Sequence, residues 1–446
     1  MKKEELYDAV GGIDENMVGQ ALSAKKRRWP MWVAAAAVLV LAIGLIAAPW
    51  RAADPSGQRL GVAVYPTRLS VGHDDYWQQQ NDLRNGSDPS AVNAFVSSAS
   101  GLLSAEKNSV CSPLNLYLSL GMLAEVTDGA TRAQLLALLG QTDLESLRRE
   151  VGKIWNANYQ DSGAYKSVLA NSLWLREGAS YHEETVERLA QTYYASTFAG
   201  QMGSPAYNAL LREWLSEQTG DLLRDAANAQ EFSEQTVLAL ASTVYLQARW
   251  ANEFAPEATT TETFRGVGGE EQVPFMHQTN FMAYYKGEDY LALGMHLSEG
   301  GDMFFVLPDG DLSDLLARDV PGELLGVKNI TNFSEYVELS LPKFDITADC
   351  NLKDTLVELG VTDVFSENAD FSPLTEQATC VSDMVHAARV AIDEEGVTAA
   401  AMTLTYCGSA MPPEPIAVTF DRPFLFIITG VDDAPLFMGT VCQIGQ

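Results

Sequence analysis

Few residues of this chain have the types and spacing that enzyme active sites and metal sites require. The five histidines form no HExxH or HxxxH pattern, and the five cysteines include no CxxC pair. The nucleophile motif GxSxG, the phosphate-binding P-loop and the dinucleotide motif GxGxxG do not occur either. We therefore expect no metal, no cofactor and no enzymatic activity. Dispersed serine, histidine and aspartate residues could still assemble a hydrolase triad in the fold, and this second class of function stays open.

The composition limits the partners and the cross-links of the protein. The chain has 446 residues, with 59 acidic against 29 basic side chains, and its formal net charge is −30. Nucleic acid is bound by clustered lysine and arginine, so this balance argues against it as a partner. Five scattered cysteines, an odd number, fit neither a disulfide framework nor a zinc site, and one isolated disulfide stays open. The length suffices for a large folded domain.

The N-terminal region has the pattern of a membrane anchor. A basic cluster at 25–28 precedes the uncharged run Met31–Ala48, which tryptophans flank on both sides. Eighteen helical residues span about 27 Å, close to the thickness of the hydrocarbon layer. This predicts a cytoplasmic tail at 1–28, a transmembrane signal-anchor helix at 29–50 and an extracellular tether at 51–85. A cleaved signal peptide is the alternative, but such peptides usually begin close to their basic region.

The remainder of the chain contains helical periodicity mainly in its first half and strand patterns mainly in its second. We predict helices at Ala91–Ala105, Pro113–Glu125, Thr131–Leu139, Thr185–Tyr194 and Tyr207–Thr219. We predict strands at Ser167–Leu175, Val237–Leu246, Met303–Leu307, Tyr336–Phe344, Val381–Ile392, Ile416–Phe420, Phe424–Ile428 and Leu436–Val441. The two kinds of element do not alternate, which favours an α+β fold.

The connection after the predicted strand Val381–Ile392 has an unusual composition. Glu394 and Glu395 can stay at the surface, and Gly396 gives the backbone freedom. The next five residues are small, uncharged and free of proline: Val397, Thr398, Ala399, Ala400 and Ala401. Such a segment can enter a sheet as a strand with little steric or desolvation cost, and an alanine-rich helix is the alternative interpretation. A connection this long without its own structure is usually functional.

Six stretches of sequence, in order along the chain, resemble the serpin family of serine protease inhibitors. VHAARVAIDEEGVTAAAMT at 385–403 is similar to the family's hinge signature, and FDRPFLFII at 420–428 is similar to its C-terminal strand signature. The other four stretches lie at 108–135, 170–196, 240–254 and 339–374. The resemblance implies a serpin fold over 86–446, with three β-sheets, about eight or nine helices and an exposed reactive loop at about 396–415.

The resemblance also implies a mechanism. Serpins present the reactive loop as bait, and a serine protease that cleaves it becomes an acyl-enzyme. The loop then inserts into the large sheet as a new strand and carries the protease with it, which distorts the protease before it can deacylate. The native state is therefore expected to be metastable. In this chain the segment that enters first corresponds to the hinge Glu394–Ala401.

Counting from the first hinge glutamate, as the family spacing implies, locates the scissile bond. Ala410 falls on the acyl side and Met411 on the leaving side, with Ser409–Ala410 as the reserve. The bond from Met411 to Pro412 is a poor substrate, because proline distorts the geometry of the leaving nitrogen. A small apolar residue at this place fits elastase-like or subtilisin-like proteases, whereas trypsin-like enzymes would lack a basic partner.

A polar cluster beneath the insertion gap is a further implication of the resemblance. The matching residues are Ser112, Asn115, Ser242 and His386, and we expect hydrogen bonds across the gap that tether the two central strands. Trp250 matches the large aromatic residue at the top of the sheet, and plain packing is its other interpretation. His386 by itself, in a strand between apolar residues, has the pattern of a buried core histidine.

These observations together predict an extracellular protease inhibitor on a single-pass membrane anchor. It would act once per molecule, as a monomer, on extracellular serine proteases. A non-inhibitory serpin-fold protein with a binding or chaperone-like role is the alternative, and a charged or proline-bearing hinge would have favoured it. Cys407 is a free thiol candidate in the loop, either a bystander or a site of redox control.

Overall fold

The structure is a computed structural model that describes residues 57–63, 82, 86–162, 165–220, 231–298, 300–327, 334–381, 384–397 and 413–445. All of them belong to the larger of two units in the chain, which begins at Asp54. The predicted cytoplasmic tail at 1–28 and membrane helix at 29–50 lie outside the described residues. No helix in the described part of the chain is long and apolar enough to cross a bilayer.

Nine α-helices lie within the described ranges. They are α1 (Ser90–Ala99), α2 (Pro113–Glu125), α3 (Gly129–Leu138), α4 (Leu144–Asn158), α5 (Glu183–Thr192), α6 (Pro205–Gln218), α7 (Leu312–Ala317), α8 (Val320–Gly326) and α9 (Lys353–Glu358). Helix α2 has a strong start signal, because the Ser112 hydroxyl accepts a hydrogen bond from the Asn115 N–H and Pro113 occupies the first turn. All thirteen residues of α2 are buried, so this helix lies in the middle of the core.

The first of two sheets has eight strands. They are β1 (Gln58–Gly61), β3 (Gln160–Ser162), β4 (Tyr165–Arg176), β5 (Ala195–Gly200), β6 (Leu238–Arg249), β12 (Phe344–Asn351), β13 (Val385–Ile392) and β14 (Gly396–Val397). Their order is β1-β5-β4-β6-β14-β13-β12, and β3 pairs with β4. Alternate side chains of β4 enter different cores, because strand side chains point to opposite faces. Leu169 and Leu173 join the main core with α2, whereas Ala170 and Trp174 pack with α6 in a second cluster.

The second sheet has nine strands. They are β2 (Ser109–Cys111), β7 (Thr260–Gly266), β8 (Gly269–Lys286), β9 (Tyr290–His296), β10 (Asp302–Pro308), β11 (Ser334–Pro342), β15 (Ile416–Thr419), β16 (Phe424–Thr429) and β17 (Pro435–Val441). Their order is β15-β11-β8-β9-β10-β16-β17-β2, and β7 pairs with β8. Strand β8 is eighteen residues long and pairs with β7, β9 and β11. We expected three sheets, but two of them are joined into one because β8 runs through both. The predicted α+β fold class is confirmed.

Strand β1 lies within the segment 51–85 that we expected to be only a tether. Its Gln58 pairs with Ala199 of β5, so β1 extends the edge of the eight-stranded sheet. The Arg59 guanidinium lies 4.9 Å from the centre of the Phe198 ring, a cation–π contact. Part of the predicted tether is thus a strand of the folded body, which its polar composition did not indicate.

Candidate functional site

The central feature of the eight-stranded sheet is the gap between β6 and β13. Strand β14 occupies one end of it, where Gly396 pairs with Arg249 and Val397 pairs with both Ala248 and Ile392. Because β14 is antiparallel to both neighbours, β6 and β13 run parallel to each other. Over the rest of their length, their facing edges pair with no strand in the described part of the chain. An additional antiparallel strand would complete the sheet there.

The turn from Asp393 to Gly396, which we call the hinge turn, leads from β13 into β14. The Asp393 carboxylate accepts hydrogen bonds from the backbone N–H groups of Glu395, at 2.9 Å, and Gly396, at 3.1 Å. Trp250 holds the same turn, since its indole N–H donates to the Asp393 carbonyl at 2.9 Å and its backbone N–H donates to the Glu395 carbonyl at 3.0 Å. Trp250 is 1% exposed, so these bonds form away from water.

Gly396 is required at its position by the close approach of β6. A Cβ atom there would lie 2.2 Å from the carbonyl oxygen of Ala248, well inside contact distance. Val397, the next residue, is 2% exposed and belongs to the main core. The first two residues of the predicted reactive loop are therefore already seated in the sheet.

Glu394 is buried, at 9% exposure, although its sequence context suggested a surface position. Its carboxylate contacts the Lys343 ammonium at 2.5 Å and accepts a hydrogen bond from the Thr259 hydroxyl at 2.7 Å. Burial alone would raise the pKa of Glu394, but the hydrogen bonds from Lys343 and Thr259 outweigh burial and lower it. The charge is tolerated inside because both partners are present. Glu395, by contrast, remains half-buried.

A second polar group lies under the middle of the gap and consists of Ser112, Asn115, Asn171, Ser242 and His386; we call it the bridge cluster. His386 of β13 accepts a hydrogen bond at Nε2 from the Ser112 N–H, at 3.0 Å. The Asn115 amide donates to the Ser242 carbonyl of β6 at 3.1 Å, and the Ser242 hydroxyl contacts the side-chain oxygens of Asn115 and Asn171. Within the described part of the chain, no hydrogen bond joins Ser242 to His386 directly. Strands β6 and β13 each form a hydrogen bond to the start of α2, so the helix links the two strands indirectly.

His386 is neutral in this arrangement. Its ring is 4% exposed, and burial lowers its pKa from 6.5 to about 4. Because Nε2 accepts a hydrogen bond from a backbone N–H, that nitrogen carries no proton. Protonation of Nε2 would replace this acceptor by a donor facing a donor, and the link between β13 and α2 would break.

The structure also brings together one serine, one histidine and one carboxylate on the outer face of the nine-stranded sheet. The Ser340 hydroxyl lies 3.0 Å from His277 Nδ1, and Glu262 lies 2.9 Å from His277 Nε2. All three residues belong to paired antiparallel strands, whose backbone N–H groups are directed along the sheet ladder. In the described part of the chain the hydroxyl therefore faces no pair of converging N–H donors that would stabilise an oxyanion. The arrangement does not support a hydrolase.

The predicted bait residues Ala410 and Met411 lie outside the described residues, as do Thr398–Ala401 of the hinge and Cys407. Three contributors to the site were missed by the sequence analysis: Asp393, Lys343 and Asn171. Asp393 has a recognisable signal, because an aspartate three residues before a glycine commonly caps a turn with its side chain. Lys343 and Asn171 have no local signal, since they meet the hinge turn and the bridge cluster only through the sheet.

Comparisons with known proteins agree with this geometry. The family model for serpins, described as serine protease inhibitors, matches residues 91–444. An uncharacterized serpin-like protein of Methanosarcina acetivorans is 30% identical over 358 residues, 76% of this chain and 82% of that protein. Neuroserpin of Mus musculus is 29% identical over 361 residues, 75% of this chain and 86% of neuroserpin.

The solved structure of tengpin, a thermophilic serpin in its native state, has a TM-score of 0.73 to this chain at 21% identity. The match covers 87% of this chain and 100% of tengpin, and at this identity it is a likeness of fold. The family model spans most of the chain, including α2, the gap and the hinge turn. The chain belongs to the serpin family.

Proposed function

We propose that this protein inhibits serine proteases by presenting its reactive loop as bait and inserting the cleaved loop between β6 and β13. Serpins are in general protease inhibitors rather than catalysts, which makes inhibition the first hypothesis for a member. The observation that carries the proposal is the seating of β14. Two residues of the loop already pair with β6 and β13, and the facing edges beyond them have no strand partner among the described residues.

The dimensions of the gap suit an inserted strand. Strand β6 has twelve residues, of which Ala248 and Arg249 already pair with β14, so the remaining ten provide an open edge of about 33 Å at about 3.3 Å each. Cleavage between Ala410 and Met411 would free the loop to continue β14 along this edge. The protease serine oxygen would form an ester with the Ala410 carbonyl carbon, and the amine of Met411 would leave with the C-terminal peptide. Insertion would then carry the ester-linked protease along the sheet.

The small apolar residue at Ala410 supports an elastase-like or subtilisin-like protease as the target. The uncharged run after the basic cluster at 25–28 supports a membrane anchor, with the inhibitory domain outside the cell. Treatment of intact cells with an added protease tests the anchor, because an extracellular domain would be released and a cytoplasmic one would survive. The expected monomeric state is part of the same proposal.

One experiment tests the inhibitory proposal. The full-length protein in mild detergent is incubated with elastase-, chymotrypsin-, trypsin- and subtilisin-type proteases, and the products are separated on denaturing gels. We expect a covalent complex with an elastase- or subtilisin-type enzyme and a released peptide whose first residue is Met411. If the first residue of the released peptide is Ala410, the scissile bond is the reserve candidate between Ser409 and Ala410. Loop cleavage without a complex by every protease would contradict inhibition and favour the non-inhibitory binding or chaperone-like alternative.

A further inference from the structure

One serine on the outer face of the nine-stranded sheet lies beside a histidine that can act as a base. The Ser340 hydroxyl of β11 lies 3.0 Å from Nδ1 of His277, its partner in the register with β8. The other ring nitrogen, Nε2, lies 2.9 Å from the Glu262 carboxylate of β7. Among the histidines of the described residues, only His277 has a hydroxyl at one ring nitrogen and a carboxylate at the other. The proposed inhibitory function does not use this group.

The neighbours of Nε2 determine which ring nitrogen carries the proton when the imidazole of His277 is neutral. Glu262 is an acceptor, and the Thr260 hydroxyl, 3.0 Å from Nε2, donates its own proton to Glu262 at 2.9 Å. Both neighbours therefore accept a hydrogen bond from Nε2, which places the proton there and leaves a lone pair on Nδ1. Nδ1 faces the Ser340 hydroxyl and can accept its proton. A neutral histidine in this position is a general base for a serine nucleophile.

The group is open to reagents in solution. The side chains of His277 and Glu262 are 27% and 37% exposed, and Ser340 is half-buried. Glu338 and Thr419, the residues next to Ser340 on the same face of the sheet, are exposed as well. A small electrophile can therefore reach the Ser340 hydroxyl from solvent.

The geometry around Ser340 also limits the reaction. Within the described residues its hydroxyl faces no pair of converging N–H donors, and loss of one such donor typically slows acyl transfer about 100-fold or more. Amides and alkyl esters have poor leaving groups, so they would react too slowly here. Aryl esters and acyl thioesters have good leaving groups and need less stabilisation. The ester formed on Ser340 would be hydrolysed slowly for the same reason, so the serine would be modified once.

We propose that Ser340 is a covalent modification site for activated acyl donors, with His277 as its general base and Glu262 as the residue that positions the base. Ser340 Oγ attacks the carbonyl carbon of the donor, the bond from Oγ to this carbon forms, and the bond to the leaving group breaks. The hydroxyl proton passes to His277 Nδ1 and then to the leaving aryl oxide or thiolate. The products are a serine ester and a phenol or a thiol. This inference is independent of the proposed inhibitory function.

The test uses the full-length protein in mild detergent with p-nitrophenyl acetate at neutral pH. Release of p-nitrophenol reports the reaction, and mass spectrometry of the peptides locates the acetyl group. Ser334 is the internal reference, because it is an exposed serine on the same face of β11 and lies opposite Ala283 instead of a histidine. We expect acetylation of Ser340 to be about 100-fold faster than that of Ser334, which is typical for a general base. The acetyl group should remain after excess donor is removed.

Two pairs of variants test the roles of the neighbours. His277→Gln should slow acetylation of Ser340 to the rate at Ser334, and added imidazole should restore part of the rate to His277→Ala. Glu262→Gln should also slow it although the histidine remains, because a carboxamide can donate to Nε2 and move the ring proton to Nδ1. Glu262→Asp keeps the acceptor and should retain most of the rate. Equal loss in both Glu262 variants would contradict the positioning role.

The comparison of two serines within the parent protein requires no variant to fold. Equal acetylation of Ser340 and Ser334 would overturn the modification site, and an unchanged rate in His277→Gln would overturn the general base. Continued release of p-nitrophenol beyond one equivalent, lost in Ser340→Ala, would show turnover and would overturn a single modification in favour of a hydrolase.

Discussion

The hinge turn holds one end of the gap between β6 and β13, and the bridge cluster holds its middle, with different kinds of contact. At the hinge turn, a charged pair and backbone hydrogen bonds fix Glu394 and seat β14 between β6 and β13. At the bridge cluster, neutral polar groups attach each strand to the first turn of α2. In the proposed mechanism, the hinge turn corresponds to the start of insertion, and the bridge cluster corresponds to the arrangement before further insertion.

This difference separates two steps that the proposed mechanism needs. Entry of further loop residues starts from β14 and depends on how readily small side chains follow Val397 into the core. Opening of the strands depends on the exchange of neutral hydrogen bonds, which are individually worth about 1 kcal/mol. Charge at the hinge should therefore affect native stability, and the protonation of one histidine should affect opening.

The largest expected effect comes from a charge on the entering strand. Val397→Arg places a guanidinium at a position that is 2% exposed, and burial of an unpaired charge is strongly unfavourable. We expect loop insertion to become slower than deacylation of the acyl-enzyme. The protease would then release the protein as a cleaved substrate instead of being trapped. The moles of protein consumed per mole of protease trapped should rise about tenfold or more, since each 1.4 kcal/mol is a factor of ten.

The matched control is Val397→Thr, which keeps the size and branching of the side chain without a charge. It should inhibit nearly as well as the parent protein. Unchanged trapping by Val397→Arg, measured with gel quantification, would show that insertion at β14 is not part of the mechanism.

An intermediate effect is expected from acid at the bridge cluster. The pKa of His386 is about 4 in the folded protein and 6.5 without burial, so the unfolded chain binds more protons between these values. The contribution of His386 to native stability is full above pH 6.5 and declines as the pH falls. At about pH 5 the loss should be about 2 kcal/mol, from about 1.4 kcal/mol for each pH unit.

Denaturant unfolding at pH 7.5 and pH 5 measures this effect, with His386→Gln as the test variant, because it cannot be protonated. The variant should lose about 2 kcal/mol less than the parent protein on acidification. His296 is the control, because its pKa shifts in the opposite direction: the hydrogen bond to Asp302 raises it. The contribution of His296 to native stability is therefore present at low pH and is lost as the pH rises. Equal acid sensitivity of His386→Gln and the parent would contradict a buried neutral imidazole.

The smallest effect concerns the ion pair of the hinge turn. Lys343 and Glu394 have side chains that are 32% and 12% exposed, so solvent screens part of their attraction. A double-mutant cycle with Lys343→Met and Glu394→Gln should give a coupling energy of about 1 kcal/mol at pH 7. Because the pKa of Glu394 is lowered, the coupling should be lost as the pH falls through that lowered value.

The exposed pair Lys286–Asp309, at 49% and 52% exposure, is the reference for this cycle. Its coupling should be close to zero, because both groups are well solvated. A hinge coupling no larger than this reference would mean that the charged pair does not fix the hinge turn.

Local signals in the sequence were sufficient to predict helices with clear capping residues and strands with a clear pattern of apolar residues. Helix α2 was predicted with both boundaries, because Ser112 and Pro113 mark its start. Strand β4 was predicted from its run of apolar residues. Helix α4 was missed although its buried residues Leu147, Val151 and Ile154 have helical spacing.

Elements that depend on distant partners could not be predicted in the same way. Strand β1 has an ordinary polar sequence and becomes a strand only because β5 offers an edge. Strand β8 contains Pro274, and the alternation of buried and exposed side chains is interrupted near Phe275. For these two reasons the eighteen-residue strand was not predicted.

The same distinction between local signals and distant partners applies to the residues of the candidate site. The hinge residues were recognised because they are contiguous and similar to a family signature. The burial of Glu394 was not foreseen, because its partner Lys343 lies between β11 and β12, fifty-one residues earlier in the sequence. The indirect link through α2 likewise depends on how the helix end meets two strands, which no single stretch of sequence contains.

Strand β1 gives the molecule a mechanical property. It attaches the chain ahead of α1 to the outer edge of the sheet that would have to widen during trapping. Tension on the chain upstream of Gln58 would reach β5 through the β1 hydrogen bonds and the Arg59–Phe198 contact before it loads the first helix. A pulling force on the N-terminal side is therefore expected to peel β1 first and to leave the gap between β6 and β13 undisturbed.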